Sequence, residues 1–172
     1  GSEMCIRDRF WTSPLGMDQF VDAMQETIQM VLLSFLFGGI WGLIQGVALV
    51  VTRDKGILPN KAIYHGLNPI INALRSLPFF ILAIAVIPLT KWIVGSSIGT
   101  WAAIVPLTIF IGPYMGRLIE TSLLEVNDGI IESAQAMGAT PWQIVFKFIL
   151  PEARSSLILN MTTATISLIG AT

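Results

Sequence analysis

Thr27 to Thr52 is a run of 26 residues without one charged side chain, and Trp92 to Gly116 is a second of 25. A helix of about 20 mainly apolar residues crosses about 30 Å of hydrocarbon, so either run is long enough to span a membrane. Ser76 to Thr90 holds only 15 uncharged residues. A span there has to reach back to about Pro69 and carry Arg75 inside its first end, from which a long side chain can snorkel to the headgroups. Ser155 to Thr172 adds an uncharged run of 18. The expectation is an all-α integral membrane protein with spans at about 27–52, 69–90, 92–116 and 152–172, and a long connection at about 125–151.

Charged residues make up 12% of the chain and hydrophobic ones 53%, whereas an average soluble domain is about 25% charged. That share cannot cover a water-soluble surface, which argues against a soluble globular enzyme. The net charge of −1 and the absence of a basic block leave nucleic acid without an electrostatic anchor. One cysteine, Cys5, and one histidine, His65, cannot build a disulfide, a zinc site or a thiolate–imidazole pair. No metal site and no catalytic residue is expected.

Basic residues in short loops favour the cytoplasmic side. The segments 53–75 and 117–154 hold Arg53, Lys55, Lys61, Arg75, Arg117, Lys147 and Arg154, against Lys91, Arg7 and Arg9 on the other side. The N-terminus is therefore expected outside. The opening GSEMCIRDR matches nothing that follows. Residues 1–16 read as a disordered or non-native tail, with Met17 as the native start and no cleavable signal ahead of the first span.

Gly38, Gly42 and Gly46 recur every four residues on one helical face, and Gly112 and Gly116 repeat the spacing in the third span. This spacing lets two helix backbones approach closely, although glycine is also simply common in membrane helices. Pro78 and Pro88 in the second span, and Pro106 and Pro113 in the third, each remove a helical hydrogen bond and are expected to kink their helices.

The connection after the third span can be read from its caps. Asn127-Asp128-Gly129 breaks the preceding helix, and a short helix is expected over Ile130 to Met137, with Glu132 in its first turn. Gly138 suits the left-handed C′ position. Thr140, Pro141 and Gln143 form a capping box for a second helix, which is expected to end at Leu150, before Pro151. The next span then starts with Glu152 in its first turn. Ala134, Ala136, Gly138 and Ala139 give this helical knuckle a small-residue surface, suited to docking into a partner protein or to lying at the membrane surface.

Glu132-Ser133-Ala134, three residues, Gly138, nine residues, and Phe148-Ile149-Leu150-Pro151 resemble the EAA loop of binding-protein-dependent ABC importer permeases. Ser133 stands for the second Ala of that pattern and Phe148 for its Ile. The strings NALRSLPF (72–79), VGSSIG (94–99), AAIVPLT (102–108) and AMGATP (136–141) resemble methionine-importer permeases more closely, and the resemblance covers about residues 26–171.

The resemblance implies a type I ABC importer permease fold in a bacterial inner membrane. It implies a homodimer, a cytoplasmic ABC ATPase dimer, an extracytoplasmic methionine-binding lipoprotein and alternating access. Glu132, Ser133, Ala134, Gly138, Ala139 and Thr140 would then form the region that couples to the ATPase. ATP and magnesium would belong to that partner, in keeping with the lack of a phosphate-binding loop in this chain. Members of the family continue with a glycine-rich loop and a fifth span, so this chain reads as C-terminally truncated. The alternative is a secondary transporter or channel for a small polar solute, independent of any ATPase. Such carriers keep ionisable groups in the bilayer, and Glu120 is the nearest candidate here, unless it simply pairs with Arg117.

Asn160, Thr162, Thr163, Thr165 and Ser167 make the fourth span unusually polar. They could line an uncharged route for a zwitterion, or bond their own helix and its neighbours. L- against D-methionine stays open at this stage.

Overall fold

The computed structural model describes residues 14–172, in which every regular element is a helix. Helices α1 (Pro14–Thr52), α2 (Lys61–Ser76), α3 (Phe79–Ala85), α4 (Ile87–Val94) and α5 (Thr100–Leu124) come first. They are followed by α6 (Asp128–Ala136), α7 (Pro141–Gln143), a π-helical segment (Ile144–Ile149), α8 (Leu150–Glu152) and α9 (Arg154–Ala171). The tail expected over 1–16 is already helical from Pro14, and the rest of it lies outside the described residues.

Two helices, Gly16–Thr52 and Thr100–Leu124, are long and apolar enough to cross a membrane. The first begins well before the expected residue 27. At 39 residues α1 rises about 58 Å, so its acidic first third extends past a 30 Å hydrocarbon layer.

The continuous second span expected at 69–90 is instead broken. Pro78 holds Leu77 extended (φ −79°, ψ 129°), and α2 and α3 meet there at 109°. The residue before a proline is driven out of the helical region, so this proline separates two helices where a kink was expected. Val86 ends α3, and Pro88 then sits in the first turn of α4, where its missing N–H costs nothing. Gly95 (φ 79°) and Gly99 (φ 113°) occupy conformations that favour glycine. They move the third span from 92–116 to 100–124. That helix continues without a break through Pro106 and Pro113. The fourth segment, α9, has 18 residues, and Arg154, Asn160 and its hydroxyl side chains leave it more polar than α1 and α5.

Helix α5 is the axis of the packing. Gly38, Gly42 and Gly46 of α1 lie in sequence order against Ile111, Gly112, Gly116 and Ile119, so α1 and α5 run in parallel with their glycine faces together. Helices α2 and α9 run antiparallel to α5. Asn68 meets Arg117 and Arg75 meets Tyr114 on one side, while Asn160 meets Ser122 and Ser167 meets Tyr114 on the other. One apolar core joins Leu107, Ile111 and Met115 to Ala164 and Leu168 of α9. A second joins Val50, Ile119 and Leu123 to Ala134, Ile144 and Ile149, and so ties the knuckle to the ends of α1 and α5.

Candidate functional site

The knuckle is built by local hydrogen bonds that its sequence encodes. Asn127 Oδ1 accepts from the Gly129 N–H at 2.8 Å and starts α6 at Asp128, two residues earlier than expected. Asp128 therefore occupies the first turn, and Glu132 lies one turn further on. At the other end Gly138 has φ 76°. Its N–H bonds Gln135 O at 2.9 Å, and the Ala139 N–H bonds Ala134 O at 3.1 Å, the paired pattern of a Schellman stop. Thr140 Oγ1 accepts from the Gln143 N–H at 3.4 Å, while Gln143 Oε1 accepts from the Thr140 N–H at 2.9 Å. The capping box is present as expected.

The second knuckle helix does not end at Leu150. The Leu150 N–H bonds Val145 O, five residues back, and Leu150 itself stays helical (φ −60°, ψ −46°). The wider π-helical turn just ahead of Pro151 relieves the clash its ring would make with the previous turn, and the chain passes through α8 into α9. Glu152 thus falls in the short α8, and α9 opens with Arg154.

The six residues singled out for coupling do not share one surface. Glu132, Ser133, Gly138 and Thr140 are exposed and Ala139 is half-buried. Ala134 is fully buried in the core with Val50, Leu123 and Ile144. It anchors the knuckle instead of forming part of a small-residue outer surface, because its turn of α6 faces the end of α5. Met137, 70% exposed at the tip, is a large apolar surface residue that the reading of small residues missed. Its signal was an apolar residue directly before a C′ glycine. A cleft of about 450 Å³ separates α6 from the chain after α1, with Arg53 and Lys55 on one wall and Asp128 and Glu132 on the other.

The polar residues of α9 are split between faces. Asn160 Nδ2 donates to Ser122 Oγ at 2.6 Å, and Ser167 Oγ meets the Tyr114 hydroxyl at 3.4 Å, so both turn inward to α5. Thr162, Thr163 and Thr165 donate to the carbonyls of Ile158, Leu159 and Met161, four residues back, and Thr162 and Thr163 are exposed. Thr162 and Thr165 share a groove with Leu157, Ile158, Met161 and Ile166.

A polar face absent from the sequence reading lies where α2 crosses α5. Arg117 Nη1 donates to Glu120 Oε2 at 2.7 Å and to Asn68 Oδ1 at 3.2 Å, and Asn72 Nδ2 donates to Asn68 Oδ1 at 3.3 Å. Glu120 is 4% exposed and paired, which is the helix-end reading of that residue. Arg75 is exposed, and its guanidinium lies 5.9 Å from the Tyr114 ring centroid. The signal was the spacing of Lys61, His65, Asn68, Asn72 and Arg75, alternating four and three residues along one helical face.

The sequence profile of the family described as "Binding-protein-dependent transport system inner membrane component" matches residues 38–172. The chain belongs to this family. It is 48% identical over 145 residues to the D-methionine transport system permease protein MetI of Escherichia coli K12, covering 84% of this chain and 67% of that protein. The Yersinia pestis protein of the same name gives the same identity and coverage. The structure is similar to a chain of the MetNI methionine ABC transporter solved in inward-facing conformations. The TM-score is 0.89 at 45% identity, over 93% of this chain and 74% of that one. The permease therefore has the type I ABC importer fold, over about two thirds of the length of the relatives it matches.

Proposed function

We propose that this permease is the membrane-spanning subunit of an ATP-driven methionine importer. Two copies would form the translocation pathway, and a cytoplasmic ABC ATPase pair would drive it by alternating access. Methionine would arrive on an extracytoplasmic binding lipoprotein, the L-form and also the D-form named for its relatives. The observation that carries this reading is the knuckle. Its Schellman stop and capping box hold a rigid helical projection whose own core is continuous with the ends of α1 and α5. A push on Ser133, Met137 or Thr140 would therefore reach both long helices, which is what coupling to an ATPase requires. Relatives that share nearly half of its residues bear the name of methionine permeases, which supports the substrate.

In this reading the knuckle faces the cytoplasm, and the N-terminus lies outside. The ATP and magnesium sites belong to the partner. The test is affinity purification of the tagged native protein from mild-detergent membranes, followed by mass spectrometry. An ABC ATPase at about one copy per permease is expected, as the pairwise assembly implies. An intact permease dimer with no ATPase bound would move the reading to a carrier.

A further inference from the structure

Helix α2 buries Ile71 against the fold and leaves two flanks beside it. Ile63 and Ile70, 44% and 58% exposed, form an apolar flank, while on the polar one Asn68 turns to Arg117 and Arg75 lies against Tyr114. In a bilayer that arrangement gives the apolar face to lipid and turns the polar one toward protein or a water-filled space. The polar face ends at Arg75, in the last turn of α2, directly before the 109° bend. Tyr114 lies on α5 one turn before Arg117, and about 15 Å along the axis from the end of that helix.

A cation on the protein-facing flank of a membrane helix calls for a partner. Among the described residues the ion pairs are Lys61 with Asp54 and Arg117 with Glu120, so Arg75 has no carboxylate. Its side chain is exposed, and Asn72, also exposed, lies one turn back on the same face. The two arginines and one carboxylate of this junction leave one positive charge in excess. Tyr114 beneath the guanidinium, itself bonded to Ser167, fixes its position without neutralising it.

We propose that Arg75, with Asn72 beside it and Tyr114 beneath it, receives the carboxylate of a zwitterionic amino acid in transit. A planar guanidinium can take a carboxylate through two parallel N–H donors, and the Asn72 amide can supply a third. The site rests on the importer reading above and names the group of the substrate that the permease itself would recognise. Arg75 in the turn before the bend would let movement of α3 against α2 open or close the site.

The test uses the whole transporter, permease with ATPase and binding protein, in proteoliposomes with labelled methionine. Arg75→Gln should lower uptake at saturating loaded binding protein by about tenfold or more, the worth of one charge-assisted contact. The ATP hydrolysed per methionine moved should rise, and Arg75→Lys should recover part of the loss. A merely structural role would lower uptake and hydrolysis in parallel, and that result would overturn the proposal, as would wild-type uptake by Arg75→Gln. If Arg75→Gln fails to assemble, Asn72→Cys in a cysteine-free background decides. Methionine during turnover should slow its reaction with a methanethiosulfonate reagent, and an unchanged rate overturns the site. No methionine uptake by the unaltered transporter would instead overturn the functional reading, and the proposal with it.

Discussion

Gly42 of α1 and Gly116 of α5 meet backbone to backbone: a Cβ built on Gly42 would lie 2.9 Å from the Gly116 nitrogen and 2.8 Å from the Gly112 carbonyl oxygen. Neither neighbour can move without shifting α5. The glycine faces are therefore the contact that sets how close the two long helices come, a packing that small residues permit in membranes.

Gly42→Ala should consequently destabilise the permease by about 1–3 kcal/mol, the range for overpacking a tight core. Gly66 is the control, because a Cβ there meets nothing within 4 Å and α2 is helical around it. Gly66→Ala should stabilise by about 0.5–1 kcal/mol, through helix propensity and a restricted unfolded chain. Thermal unfolding of the detergent-solubilised protein checks both signs. Equal losses at the two positions would sink the packing account.

A different mechanism acts at Gly138. Open space surrounds its Cβ direction, yet its φ of 76° is strained for any side chain. Gly138→Val should cost about 1–2 kcal/mol locally, enough to unseat the Schellman stop while the spans stay folded. The expected outcome is a membrane-inserted permease whose ATPase turns over without uptake. Normal uptake would remove the knuckle from the coupling role.

Ala134 separates the anchoring face of the knuckle from its outward one. Ala134→Leu forces extra volume into the core shared with Val50, Leu123 and Ile144, and should cost about 1–3 kcal/mol. Met137→Ala, at the 70% exposed tip, should leave stability within about 0.5 kcal/mol and weaken retention of the ATPase on purification. The opposite assignment of effects would show that the knuckle is turned the other way.

The Arg117–Glu120 pair is asymmetric, with side chains 33% and 6% exposed. Arg117→Gln strands a nearly buried carboxylate, whereas Glu120→Gln leaves an arginine that still reaches Asn68 and solvent. Arg117→Gln should therefore be the more damaging, by about 1–3 kcal/mol. Unfolding midpoints of the two variants and of the double variant decide this.

Features set by local chemistry were legible in the sequence: the turn at Gly138, the capping box at Thr140 and Gln143, and the shared face of Gly38, Gly42 and Gly46. Each depends on one residue type in a fixed backbone position or at a fixed spacing. Features that depend on which way a helix turns were not legible. An uncharged run of 15 residues reads the same whether Pro78 bends a span or divides two helices. The polar residues of α9 read alike in the sequence, and only packing separates Asn160 and Ser167, which meet α5, from Thr162, Thr163 and Thr165, which bond their own carbonyls. The contact of Arg75 with Tyr114 depends on how α2 crosses α5, which spacing along one helix does not give. Ala134 joined the small surface residues because composition cannot tell which face of α6 meets the core.

The most direct measurement of the central claim is methionine uptake by proteoliposomes that contain the full-length permease with its ATPase, with ATP on the knuckle side and loaded binding protein on the other. The account predicts accumulation that requires ATP and is abolished by Gly138→Val. Uptake that proceeds without ATP, or that a proton gradient alone drives, would contradict it.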